Sequence, residues 1–162
     1  MDRYLISLDL DGTVADFNKK ASEVLGRTLV GHDNNIEWDV LAEKCPTLYK
    51  DLDLLPDARE LIQFLLTRYS PRVSVLTAIP KKAIFPDVTM HKRQWVWKNI
   101  GPTIRTNFGP YSIDKQYHCK GNRHILIDDN PLCIEQWIYK GGLGILHTDA
   151  KDTIRCLQSF GF

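Results

Sequence analysis

Tyr4-Leu5-Ile6-Ser7-Leu8-Asp9-Leu10-Asp11-Gly12-Thr13 decides the fold. Residues 4–8 are a short apolar run, the pattern of a buried strand, and the run stops at Asp-x-Asp-Gly. Three more runs repeat this arrangement. Residues 73–76 end in Thr77-Ala78, residues 124–127 end in Asp128-Asp129, and residues 143–146 close the series. Weaker strand character lies around residues 103–106. Between the runs, residues 57–69 carry Ala58, Leu61, Ile62, Leu65 and Leu66 at the spacing of one helix face. Residues 91–100, 131–139 and 149–160 also read as helices, with Gly141-Gly142 stopping the second of these. Strands alternating with helices predict an α/β fold, a Rossmann-like three-layer sandwich around a parallel sheet. Ligands of such sheets sit at the carboxyl ends of the strands, where the polar residues above fall.

Residues 17–56 break the rhythm. They hold no convincing strand, two helical patterns near 18–25 and 40–50, and the polar link Gly31-His32-Asp33-Asn34-Asn35. The expected organisation is therefore a catalytic core of residues 1–16 and 57–162, with a small helical cap at 17–56 inserted after the first strand.

Composition narrows the function. The chain has 162 residues, 43% hydrophobic and 25% charged, as expected of one globular domain with a small insertion. Twenty-one Lys and Arg against twenty Asp and Glu leave a net charge of +1. No field of one sign exists to steer a nucleic acid or a membrane surface, so neither is an expected stable partner. No stretch is apolar for long enough to span a bilayer, and acidic residues interrupt the first apolar run too early for a signal peptide. Cys45, Cys119, Cys133 and Cys156 are widely spaced, which suits reduced thiols in a cytoplasmic protein and offers no paired zinc ligands.

The strand ends share one chemical logic. Asp9, at the end of the first strand, can attack phosphorus and bind a cation. Asp11, two residues on and beyond a turn that Gly12 permits, can face the same pocket as acid and base. A carboxylate nucleophile splits hydrolysis into two easier steps, but the phosphate repels it unless a cation intervenes. Mg2+ suits, being a hard ion that keeps several waters. Asp128 and Asp129 would complete its coordination with Asp9 and a backbone carbonyl near Asp11. Thr77 can donate to a phosphate oxygen, and Lys115 or Lys120 can neutralise charge on the transferring group. Taken singly, each piece has a plain structural role: a turn, a strand-end hydroxyl, a helix cap, a surface lysine. Their order along three strands argues for catalysis.

At these residues the chain resembles the haloacid dehalogenase-like phosphatases. Asp9-Leu10-Asp11-Gly12-Thr13-Val14 looks like the family's first motif, Thr77 its second, a lysine its third and Asp128-Asp129 its fourth. The resemblance implies that Asp9 is the nucleophile and Asp11 the general acid and base. A closer likeness is to the 5′(3′)-deoxyribonucleotidase branch. It rests on Leu52-Asp53-Leu54-Leu55-Pro56-Asp57-Ala58, Lys92-Arg93-Gln94-Trp95-Val96 and Ile125-Leu126-Ile127-Asp128-Asp129. That branch implies a nucleoside monophosphate as substrate, with cap aromatics stacking on the base; Phe17, Trp38 and Tyr49 are the candidates, and core packing of the cap is their alternative role. Ala78 stands where many relatives have a second hydroxyl. The branch spacing favours Lys115 over Lys120; Lys81, Lys82, Lys92 and Arg93 could add positive charge near the phosphate, but solvated helix ends are the favoured expectation.

Other readings are a phosphatase for a sugar phosphate or a polynucleotide 3′-phosphate, and a non-enzymatic phospho-receiver or binding protein. A polynucleotide would want an open basic groove. A receiver orders its acidic pair, phosphorylated Asp, Thr and Lys differently along the strands and has no place for an inserted cap.

Overall fold

The computed structural model describes residues 4–80 and 85–160. Five parallel strands, β1 (Leu5–Leu8), β2 (Val73–Thr77), β3 (Arg105–Phe108), β4 (His124–Asp128) and β5 (Leu143–Leu146), lie in the order β3-β2-β1-β4-β5. The helices α3 (Ala58–Tyr69), α4 (Val88–Asn99), α5 (Pro131–Tyr139) and α6 (Ala150–Ser159) flank it. The α/β expectation with a parallel central sheet is thus what the chain adopts. Central strands of such a sheet are covered on both faces, so they need continuous rather than alternating apolar character. Ile6, Leu8, Val75, Leu76, Ile125, Leu126 and Ile127 are all nearly inaccessible to solvent. Two buried polar residues of these strands pair with each other: Ser7 Oγ lies 2.9 Å from His124 Nε2.

The weak strand is shifted two residues from its expected place, to Arg105–Phe108, because its pairing with Ser74–Thr77 fixes the register. At an edge, with only partly buried side chains, its apolar signal is too faint to set the boundaries.

The stretch 17–56 forms α1 (Phe17–Leu25), α2 (Trp38–Lys44) and a short 3-10 turn, Leu48–Lys50. The second expected helix is cut in two at Cys45-Pro46, since a residue before proline is driven out of the helical region. The segment's entry and exit run side by side. Asp16 N–H donates to Asp53 O (2.8 Å), Leu55 N–H to Val14 O (2.9 Å), and Ala15 bridges Leu54. Phe17, Ala21, Leu41, Leu48 and Tyr49 join the same apolar cluster as the sheet residues Ile6, Leu8 and Val75. Among the described residues, no helix is long and apolar enough to cross a membrane.

Candidate active site

The strand order reverses direction of travel at β1, with β2 on one side and β4 on the other, so their carboxyl ends open one crevice. Asp9 continues β1, its N–H donating to Ile127 O (2.9 Å). The chain then coils tightly: the N–H groups of Thr13, Val14 and Ala15 all reach Leu10 O. Gly12 makes this possible. Its φ is +85°, and a Cβ there would stand 2.2 Å from Asp129 Oδ2, inside the neighbouring carboxylate. Only glycine lets the first and last acidic loops approach so closely.

Asp9, Asp128 and Asp129 each offer an oxygen within 4.8 Å of the others. Lys115 lies between two of them, its Nζ 2.7 Å from Asp9 Oδ1 and 2.7 Å from Asp128 Oδ2. Asp128 Oδ1 accepts the Asn130 N–H (2.9 Å), while Asn130 itself caps α5 through Leu132 N–H (3.0 Å). The cap role that Asp128-Asp129 could have filled is therefore taken by Asn130. Lys115 comes from a 3-10 turn, Ser112–His118, that the sequence patterns do not announce. Gly109 lets that turn pack tightly, since a Cβ there would meet Tyr111 O at 2.6 Å. Lys120, the other candidate, is exposed, and its backbone N–H donates to His124 Nδ1 (3.2 Å).

Electrostatics follow from three carboxylates against one ammonium in a largely buried cluster. Burial, then Asp128, push Asp9 above the usual carboxylate range, with Lys115 opposing. Asp129 is pushed up to about 8 by burial and by Asp9 and Asp128. Burial works against the Lys115 ammonium, but Asp9 and Asp128 outweigh it and raise its pKa. Asp129 Oδ1 is buried and has no hydrogen-bond partner among the described residues. An excess of hard, partly unpartnered oxygens fits a divalent oxygen-seeking cation such as Mg2+.

The Asp11 carboxylate, expected near the metal set, stands outside that trio and is held by Lys92, whose Nζ donates to Asp11 Oδ2 at 2.5 Å. Lys92 also donates to Thr77 Oγ1 (2.9 Å) and Ala78 O (2.8 Å). This corrects the expectation of a solvated helix end: Lys92 is 1% exposed. It lies on the same face of α4 as Val88, Trp95 and Val96, all buried. That helical spacing was the signal available in the sequence. Arg93, in contrast, is exposed above the Phe108 ring, and Lys81 and Lys82 lie outside the described residues. Burial raises the Asp11 pKa against the pull of Lys92.

A cavity of about 490 Å³ is lined by Asp9, Asp11, Lys115, Asp128 and Asp129 and reaches Phe17, Trp38, Tyr49 and the loop Gly31–Asn34; Thr77 and Lys92 lie behind its wall. His32 Nε2 leans across it to Asp129, 3.3 Å from Oδ2. Arg27 steadies that loop, binding Asp33 (2.8 Å), Glu37 (2.7 Å) and Asn35 O (2.8 Å). Of the three aromatic candidates, Phe17 and Tyr49 are buried and only Trp38 is half-buried.

Neither a family model nor a curated protein matches the sequence. Solved structures do. A haloacid dehalogenase-like family hydrolase from Streptococcus pneumoniae is 13% identical, the match covering 98% of each chain with a TM-score of 0.60. A HAD-hydrolase from Bacillus subtilis, solved bound to magnesium and described as showing interdomain movement, is 12% identical. That match covers 97% of this chain and all of the other, with a TM-score of 0.63. A hydrolase from Pseudomonas syringae is 14% identical over 99% of this chain and the whole of its own, with a TM-score of 0.51. At these identities the likeness is one of fold: the chain is folded as the haloacid dehalogenase-like hydrolases are.

Proposed function

We propose that the protein is a magnesium-dependent phosphomonoesterase working through a phosphoaspartate on Asp9, with a nucleoside monophosphate, preferably deoxy, as substrate. The observation that carries this reading is the Asp9–Lys115–Asp128–Asp129 cluster with Asp11 held separately beside it. A carboxylate oxygen of Asp9 attacks phosphorus and the ester P–O bond breaks. Asp11, whose raised pKa favours the protonated form, gives its proton to the departing alkoxide. Water then attacks the phosphoaspartate, its proton passing to Asp11, and inorganic phosphate leaves. Thr77 and Lys115 bind and neutralise the transferring group. Asp9, Asp128 and Asp129 would hold Mg2+, which shields the nucleophile from the phosphate charge.

The substrate assignment rests on the cavity. About 490 Å³ suits a small ligand, and half-buried Trp38 offers a base the open aromatic surface that Phe17 and Tyr49 lack. The test is phosphate release from ribo- and deoxyribonucleoside 5′- and 3′-monophosphates, sugar phosphates and a 3′-phosphorylated oligonucleotide, with and without magnesium. Magnesium-dependent release concentrated on deoxynucleotides, and lost in Asp9→Asn, is the expected result. Release from other esters alone discards the nucleotidase assignment, and turnover by folded Asp9→Asn discards the mechanism.

A further inference from the structure

We propose that Tyr49 is a positioning residue: the face of its ring holds the Lys92 ammonium in place, and Lys92 in turn holds Asp11 and Thr77. The inference rests on the phosphoryl-transfer reading above and deepens it.

An ammonium has three donors and no acceptor. In Lys92 all three are satisfied by protein, on Asp11 Oδ2, Thr77 Oγ1 and Ala78 O. No donor remains for a substrate, so Lys92 acts by fixing its partners. Its contact with Thr77 occupies a lone pair of the hydroxyl oxygen and directs how that hydroxyl can donate. A buried ammonium also needs its remaining surface compensated. Tyr49 supplies this: Nζ stands 4.5 Å from the ring centroid, within cation–π range.

The ring has little freedom to do otherwise. It is 3% exposed, with Phe17 stacked at 5.9 Å and 20° and Phe85 edge-on at 5.2 Å. A nucleobase would find almost no Tyr49 surface to stack on. Tyr49 sits on the 3-10 turn Leu48–Lys50 of the inserted segment, whereas Lys92 belongs to α4. One contact thus links the segment over the cavity to the acid–base carboxyl.

The experiment compares wild type with Tyr49→Leu, Tyr49→Phe and a series carrying increasingly fluorinated phenylalanine at position 49. Substrates are a nucleoside monophosphate and a pentose 5-phosphate lacking a base. Positioning predicts that Tyr49→Leu lowers kcat roughly tenfold on both substrates, with little change in KM. Tyr49→Phe should restore the rate, and each added fluorine, which weakens the ring face without changing its shape, should lower it in steps. That series keeps the test decisive should Tyr49→Leu not fold. Independently of turnover, the Lys92 ε-methylene protons should show an upfield ring-current shift in wild type and Tyr49→Phe, absent in Tyr49→Leu. A loss in KM confined to the nucleotide would make Tyr49 a stacking platform and overturn the inference. A kcat insensitive to fluorination would overturn it too. A wild type silent toward every phosphoester defeats the phosphatase reading as a whole, whereas an active wild type with unaltered variants defeats this inference alone.

Discussion

Lys115 and Lys120 are five positions apart and chemically identical, yet their surroundings separate them completely. Lys115 is 3% exposed and bonded to two carboxylates, one of them Asp9; Lys120 points its charge to solvent. Removing the Lys115 ammonium leaves two buried carboxylates facing each other without compensation and, on the proposed mechanism, takes a donor from the transferring group. Lys115→Ala is therefore expected to lower kcat by about 10²- to 10³-fold, the range for one lost oxyanion donor. Lys120→Ala should be close to wild type. Steady-state rates of the two variants on one substrate decide this, and a harmless Lys115→Ala beside a damaging Lys120→Ala would move the assignment. Cys133 shows how local this electrostatic field is. Burial, then Asp128, push its thiol up to about 12, so it stays protonated and unreactive beside the cluster.

Elements carry these residues with unequal clarity in the sequence. β1, β2 and β4 were legible because buried parallel strands are written as unbroken apolar runs, and the acidic or hydroxyl groups follow them directly. The Ser112–His118 turn was not, because a 3-10 turn has no apolar period of its own and its geometry depends on Gly109 and the Tyr111–Asp114 cap. Lys92 departs from its expectation for a related reason: its charge suggests solvent, whereas its helical position beside Trp95 and Val96 places it on the buried face. The same helix anchors the inserted segment through Trp95, whose Nε1–H donates to Leu52 O at 2.7 Å. Trp95→Phe keeps most of the apolar volume but leaves that buried carbonyl without its donor. The expected cost is about 1–3 kcal/mol of unfolding free energy, read from denaturant melts with an unchanged m-value. A cost near zero would mean that α4 and the segment are held by packing alone.

Across the whole molecule the site sets how stability responds to pH, and the sign can be worked out group by group. A carboxyl whose pKa is higher folded than unfolded binds its proton more tightly in the native state. Its contribution is complete below the unfolded value and is lost as pH rises through the folded one. Asp9, Asp11 and Asp129 all behave so, Asp129 from 3.8 toward about 8. Two of the buried histidines work in the opposite sense. His124, lowered to about 4 chiefly by burial, and His147, lowered likewise, favour the native state only once pH exceeds about 6.5. Below that pH the two trends offset each other. Between pH 6.5 and 8 these two histidines no longer offset the loss from Asp129, whose folded value is about 8. With a chelator present, the midpoint of thermal unfolding should therefore fall across that interval. On the proposed reading magnesium would replace the bound protons as the neutralising charge and stabilise the native state by mass action, so the fall should flatten in its presence. Asp129→Asn, which cannot ionise, should flatten it without magnesium. A midpoint that stays level or rises between pH 6.5 and 8 in the chelated protein would show that the acidic cluster does not bear an unneutralised charge, and would remove the electrostatic reason for placing a cation there.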